Sequence, residues 1–127
     1  MAVNIDPTIY FFLNNNKIRV RGDGQDIRSY LYIGDAIAWL IKLLEDPKDS
    51  IYNVGSEIEV KIEDLARKIA SHKTGLEVVI EGGSKQVDNF NRPSYIPDTN
   101  KIKSKYPNLI EWTALEDIVE KMLEPSR

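Results

Sequence analysis

Residues 22–40, GDGQDIRSYLYIGDAIAWL, contain the succession of local signals that decides the fold. The opening Gly-Asp-Gly favours a turn, and residues 27–33 form a short β-prone stretch. Asp35 is suited to cap a helix over residues 36–46, which Pro47 stops. This helix is apolar almost all round, and such a helix is normally covered on more than one side. A covering partner for it is therefore expected.

Strand and helix patterns alternate along the rest of the chain. Residues 17–21 alternate basic and apolar side chains, with Ile18 and Val20 on one face, as in a half-buried strand. Residues 62–69 have the i, i+3, i+4, i+7 spacing of an amphipathic helix, and residues 76–80 favour another strand. Together these patterns predict an α/β fold with a small mixed sheet and about four to five helices.

Weaker signals give four further predictions. Asp6-Pro7 is a helix-start signal ahead of the apolar run 8–13. Residues 50–54 are expected to form a short strand, and residues 98–106 a short helix. The acidic run 57–64 is interpreted as the solvated first turns of a helix.

Composition excludes several classes of function. The 127 residues suit one domain with a net charge of -3, whereas a nucleic-acid-binding protein normally has a basic patch. With no cysteine and one histidine, disulfides, thiolate metal sites and multi-histidine zinc sites are excluded. No segment approaches the roughly 18 apolar residues that span a bilayer, and the N-terminus does not resemble a signal peptide. We therefore expect a cytoplasmic protein with no metal, nucleic-acid or membrane partner.

Three stretches, taken in order, resemble the C-terminal half of the extended short-chain dehydrogenase/reductase family. In residues 22–40 a Gly-x-Gly turn precedes an Arg-aromatic segment and an Asp-led apolar helix. Residues 51–69, IYNVGSEIEVKIEDLARKI, are similar to the family's Y-N-V/I-G strand end and the helix after it. The third stretch begins with RPSYIPDTNKIKSKYP at residue 92 and ends with WTALEDIVEKML at residue 123. The resemblance covers nearly the whole chain and is nearest to glucose 4,6-dehydratase-like members.

The resemblance implies a fold, an activity and a ligand. The chain would be one domain over residues 1–127, the substrate-side part of an NAD-dependent nucleotide-sugar epimerase or dehydratase, holding the diphosphate of a UDP- or dTDP-sugar. Such enzymes are lyases or isomerases.

Two motifs of the family's chemistry do not occur in the sequence. It has no G-x-G-x-x-G turn for a pyrophosphate, and none of its six tyrosines has a lysine four residues later. A Tyr-x-x-x-Lys pair is needed because the lysine lowers the tyrosine pKa for general-base catalysis. We therefore expect no catalytic residue and no cofactor in this chain, with NAD held by an N-terminal Rossmann half of the complete enzyme.

The resemblance also assigns five substrate-binding residues. Arg28 corresponds to an arginine that grips the diphosphate, because a planar guanidinium donates two parallel hydrogen bonds to phosphate oxygens. The alternative is a surface arginine paired with Asp23 or Asp26. Arg92 corresponds to a second diphosphate arginine, and Asn53 to a strand-end asparagine near the nucleotide, with closure of a turn as its structural alternative. The remaining two candidates are Ile18 and Val20.

Two other interpretations stay open. A non-catalytic stand-alone module for binding or assembly could retain the same scaffold. The apolar helix over residues 36–46 also predicts a homo-oligomer if no other domain covers it.

Overall fold

The computed structural model describes residues 9–12, 16–45, 51–82 and 94–123. Their contacts divide the chain into two compact units. Unit 1 comprises residues 1–28 and 60–94, and unit 2 comprises residues 29–59 and 95–127. The described residues form five short strands and four helices, which confirms the predicted α/β class. The single domain over residues 1–127 stays a prediction.

Unit 1 is built on a three-stranded sheet with the order β1-β2-β5. β1 (Ile9–Phe12) is antiparallel to β2 (Lys17–Val20), and β2 is parallel to β5 (Glu77–Ile80). β2 and β5 confirm the sequence prediction, but the helix expected over 8–13 is wrong. The run there is too short for a stable helix, and its aromatic and β-branched residues favour the strand that β2 can pair.

α2 (Ile62–Ser71) packs against β2 and β5 and closes the core of unit 1. Ile18 and Val20 of β2 are fully buried there. The helix contributes the four apolar positions that its spacing predicted: Ile62, Leu65, Ala66 and Ile69. Because side chains alternate along a strand, Lys17 and Arg19 lie on the opposite face of β2. There they pair with glutamates of the β5 region at 3.1 and 3.0 Å.

The start of α2 is capped by backbone carbonyls of the Gly-Asp-Gly turn and the residues after it. Lys61, at the N-cap, makes no side-chain capping hydrogen bond. Instead, the Ile62 N–H donates to the Asp26 carbonyl at 3.0 Å, and the Glu63 N–H donates to the Gly24 carbonyl at 2.9 Å. These bonds satisfy two of the N–H groups that a helix start leaves without an internal partner.

The same turn leads into β3 (Ile27–Arg28), which pairs antiparallel with β4 (Val60–Lys61). The register sets Arg28 opposite Val60. β4 continues directly into α2, so the strand pair and the capped helix start fix the position of Arg28 together. Of the β-prone stretch 27–33, only these first two residues form a strand.

The regular elements in the described residues of unit 2 are three helices, beside an isolated β-bridge at Tyr95. The core of this unit is formed by Trp39, Ile102 and Leu109, and the Trp39 indole N–H donates to the Ile110 carbonyl at 3.0 Å. The helices are α1 (Ile33–Glu45), α3 (Asn100–Lys105) and α4 (Leu115–Leu123). None of the described helices has the length and apolar composition required to cross a membrane.

Asp35 lies inside the first turn of α1 and does not cap the helix, contrary to the sequence prediction. The residue is 5% exposed, and its carboxylate accepts hydrogen bonds from the backbone N–H and the hydroxyl of Thr113, at 2.9 and 3.2 Å. A negative charge near a helix N-terminus is favourable. Asp35 therefore links the start of α1 to the segment before α4.

Two short elements predicted in unit 2, a helix and a strand, have different outcomes. The helix expected over 98–106 is confirmed as α3, whereas residues 51–54 form no strand. The Ile51 carbonyl accepts a hydrogen bond from Lys101 Nζ at 2.8 Å in place of a strand partner. Tertiary contacts of this kind override a β-prone composition.

Alanine substitutions in the turn before β3 test how closely the turn packs against α2. Gly24→Ala places a Cβ 3.0 Å from Glu63 Cβ at a φ of 71°, whereas Gly22→Ala, at a φ of 76°, meets no described atom within 4 Å. Left-handed backbone costs an alanine about 1–2 kcal/mol at either position. We expect a larger loss for Gly24→Ala, because Glu63 must also move.

Hydrogen exchange at the Ile62 and Glu63 amides measures this loss. Protection should fall further in Gly24→Ala than in Gly22→Ala. An equal fall in both variants would show that the contact between the turn and the helix has no energetic weight.

Candidate functional site

Arg28 lies at the end of β3, and its guanidinium contacts the two residues that precede it. Its Nη1 donates to the Ile27 carbonyl at 2.9 Å, and its Nη2 lies 3.4 Å from Asp26 Oδ2. The side chain is 29% exposed. The pairing with Asp26 that stood as the alternative interpretation is thus present, and it is a long and partly exposed ion pair. Such pairs contribute at most about 1 kcal/mol, so an anionic ligand can replace the carboxylate.

Ile18 and Val20 are 0% exposed and belong to the core beneath α2. Their side chains present no surface to a ligand in this structure. Contact between these two residues and a substrate stays a prediction. Such a contact would have to be made by backbone atoms of β2 and not by the buried side chains. Within unit 1, β2 ends just before the Gly-Asp-Gly turn and Arg28 lies just after it. This shared turn is what connects the three candidates Ile18, Val20 and Arg28.

Asn53 belongs to unit 2, and its side chain contacts a distant segment, which is not the turn closure that was its structural alternative. Its side-chain Nδ2 donates to the Asp98 carbonyl at 2.8 Å, and Asp98 Oδ1 accepts the Asn100 N–H at 2.9 Å. The amide thereby ties its segment to the start of α3. A contact between Asn53 and a nucleotide stays a prediction. Arg92 lies outside the described residues.

Glu57 anchors a polar cluster in unit 2 that the sequence did not indicate. Its Oε1 accepts the Thr99 backbone N–H at 2.8 Å and the Thr99 hydroxyl at 2.7 Å, while Oε2 accepts Lys103 Nζ at 2.7 Å. The hydrogen bond from Lys103, followed by those from Thr99, lowers the pKa of Glu57 from 4.5 to about 2.

This cluster corrects the interpretation of the acidic run 57–64. Glu57 precedes β4 and lies outside α2, so it is not part of a solvated helix start. The sequence contains one sign of this cluster: Thr99 and Lys103 are four residues apart, so they lie on the same side of a helix. Nothing local connected them to a carboxylate more than 40 residues away. Within the described ranges, no group of three or more histidine, aspartate or glutamate side chains is placed to hold a metal ion.

Comparisons with known proteins find partial matches to nucleotide-sugar dehydratases. No family model matches the chain. A dTDP-D-glucose 4,6-dehydratase of Dictyostelium discoideum is 39% identical over 66 residues, 51% of this chain and 15% of that protein. A trifunctional UDP-glucose 4,6-dehydratase/UDP-4-keto-6-deoxy-D-glucose 3,5-epimerase/UDP-4-keto-L-rhamnose-reductase of Arabidopsis thaliana is 32% identical over 102 residues, 78% of this chain and 15% of that protein.

A solved structure agrees with these sequence matches. An NAD-dependent NDP-hexosamine 5,6-dehydratase involved in tunicamycin biosynthesis superposes with a TM-score of 0.69 at 25% identity, over 88% of this chain and 35% of that one. The chain matches part of these nucleotide-sugar dehydratases, as expected of a fragment of the extended short-chain dehydrogenase/reductase family. This confirms the resemblance that the three sequence stretches indicated. The matches span only 15% of the length of the first two relatives.

The extended short-chain dehydrogenase/reductase fold implies NAD, and the start of α2 is the helix start that follows a strand in unit 1. Such a site needs free N–H groups at a helix N-terminus, approached across a glycine-rich turn. At α2 the first two N–H groups already donate to Asp26 and Gly24, and β4 enters the helix without a glycine. The start of α2 therefore does not offer a pyrophosphate site.

The depressed pKa of Glu57 makes the stability of unit 2 depend on pH. A carboxyl with a lowered folded-state pKa stabilises the fold above its ordinary pKa of 4.5, and this contribution is lost as the pH falls towards 2. We expect Glu57→Gln to lower the melting temperature at neutral pH. The difference from the original chain should shrink below about pH 4.5 and vanish near pH 2.

Tryptophan fluorescence reports this transition, because both tryptophans of the chain lie in unit 2. Glu59→Gln, at an exposed position in the same segment, is the matched control and should leave the melting temperature nearly unchanged. A Glu57→Gln difference that stays constant down to pH 2 would rule out the charged cluster as its cause.

Proposed function

We propose that this chain is the substrate-side part of an NAD-dependent nucleotide-sugar dehydratase and that Arg28 binds the diphosphate of the nucleotide-sugar. The three relatives described above are named for reactions of dTDP-, UDP- or NDP-sugars, and this supports the ligand class. The observation that carries the proposal is the position of Arg28. It lies within the first stretch that resembles the family and is fixed between the turn and β4.

The chemistry of Arg28 suits a diphosphate. A guanidinium presents a planar set of N–H donors that matches two phosphate oxygens. Charge-assisted hydrogen bonds of this kind contribute about 1.5–3 kcal/mol each, more than the partly exposed pair with Asp26 that they replace. A diphosphate can therefore compete with the Asp26 carboxylate for the guanidinium. Ile27 continues to accept from Nη1 and keeps the guanidinium oriented.

Hydride transfer belongs, in this proposal, to another part of a longer protein. The chain has neither the glycine-rich turn nor the Tyr-x-x-x-Lys pair. The first two N–H groups of α2 already donate to backbone carbonyls. An N-terminal Rossmann half would bind NAD and supply the catalytic tyrosine. This chain would contribute no catalytic residue of its own. The complete enzyme would work in the cytoplasm on a UDP- or dTDP-sugar.

Titration with UDP and dTDP tests the proposal directly. We expect the purified chain to bind one of them in isothermal titration calorimetry, and Arg28→Ala to weaken binding about tenfold or more, since the charge-assisted bonds are lost. Arg28→Lys should recover little of that affinity, because an ammonium cannot donate two parallel hydrogen bonds.

Arg67→Ala is the matched control. Arg67 is an exposed arginine of the same unit, paired with Glu63 on α2, and its removal should leave nucleotide affinity unchanged. Equal binding by the Arg28 variants and the original chain, or equal weakening in Arg67→Ala, would contradict the assigned role of Arg28.

A further inference from the structure

Asp26 contributes two different groups to unit 1. Its backbone carbonyl accepts the Ile62 N–H at 3.0 Å and so helps to cap α2. Its carboxylate lies 3.4 Å from Arg28 Nη2. The cap is made by the main chain and the ion pair by the side chain. The carboxylate can therefore move, or be replaced, without loss of the helix cap.

The backbone sets this carboxylate beside the guanidinium. Asp26 and Arg28 are separated by one residue where the chain enters β3, and alternate side chains of an extended segment lie on the same side. The Ile27 carbonyl between them accepts from Arg28 Nη1 at 2.9 Å, which keeps the guanidinium folded back along its own strand. The ion pair therefore needs no contact from a distant part of the chain.

The geometry of the pair is that of a weak and replaceable contact. At 3.4 Å the distance from Nη2 to Oδ2 is longer than the roughly 2.7–2.9 Å of a strong charge-assisted hydrogen bond. The Arg28 and Asp26 side chains are 29% and 39% exposed, so water screens the pair. Carboxylate and phosphate oxygens suit the same fork of N–H donors. A diphosphate must therefore displace Asp26 or bind beside its negative charge, and either lowers the affinity.

We propose that Asp26 is an internal competitor for the diphosphate and lowers the affinity of Arg28 for it. This inference rests on the proposed function, because it needs an anion bound at Arg28. Before a ligand binds, the carboxylate occupies one end of the guanidinium. When a diphosphate binds, the carboxylate turns away while the Asp26 carbonyl keeps its bond to Ile62. The exchange thus leaves the cap of α2 in place.

Asp26→Asn tests this role through a gain of affinity, which a merely structural residue would not give. With UDP, dTDP and inorganic pyrophosphate as probes, we expect isothermal titration calorimetry to show about fivefold tighter binding than in the original chain. Asp26→Glu keeps the charge and should not show the gain. Asp64→Asn is the matched control, the same substitution at an exposed position of the same unit, and should change the affinity less than about twofold.

The Arg28→Ala background separates an effect through the guanidinium from simple charge repulsion. Most of the gain from Asp26→Asn should disappear there, because the competitor no longer has an arginine to release. Protection of the Ile62 amide from hydrogen exchange should be the same in Asp26→Asn and the original chain, since the cap is a backbone bond. A loss of that protection would contradict the independence of the two groups on which the inference rests.

The outcomes separate this inference from the proposed function. Binding that Arg28→Ala weakens, but that Asp26→Asn does not strengthen, overturns the competitor role alone. An equal gain with and without Arg28, or an equal gain in Asp64→Asn, also overturns it, because the effect would then be general charge repulsion. If none of these anions binds to any variant, both proposals fail.

Discussion

The capping of α2 by the carbonyls of Gly24 and Asp26 is the constraint on which unit 1 depends. It holds the Gly-Asp-Gly turn against the helix start, and it sets the register of β3 on β4. Arg28 owes its position to this register. The same two hydrogen bonds occupy N–H groups at the N-terminus of α2 that could otherwise bind an anion. The start of α2 therefore does not offer these two N–H groups to a ligand.

Unit 2 is held by polar contacts between segments that are distant in sequence. Asp35 joins the start of α1 to Thr113, and Glu57 joins the segment before β4 to Thr99 and Lys103 on the α3 side. These contacts, with the Trp39 indole bond, anchor one side of α1 and leave its opposite side apolar and exposed. A helix with two apolar faces is typical of a position between two layers of structure. The described part of unit 2 provides one of these layers.

The sequence was sufficient where a single periodicity decided the structure. The amphipathic spacing of α2, the alternation in β2 and the Gly-Asp-Gly turn were all predicted and found. Arg28 could be singled out because a local pattern that resembles a family surrounds it. Its pairing with Asp26 was also foreseen, since the two residues are two positions apart.

The sequence was insufficient where a distant partner decided the structure. The run 8–13 carries a helix-start signal, but its strand exists because β2 is beside it. Asp35 was taken as a cap because its partner, Thr113, lies 78 residues away. Glu57 was assigned to a solvated face because its donors follow more than 40 residues later. Local propensity is a weak prior, and tertiary contacts override it in each of these cases.

The central claim is that this chain is the substrate-side part of a longer NAD-dependent enzyme. The most direct measurement is the mass of the native product in its source cells, detected on a denaturing gel with an antibody raised against this chain. The chain covers 15% of two relatives and 35% of the solved dehydratase, so the account predicts a product more than about twice the 14.5 kDa of the chain. A single product near 14.5 kDa would contradict it.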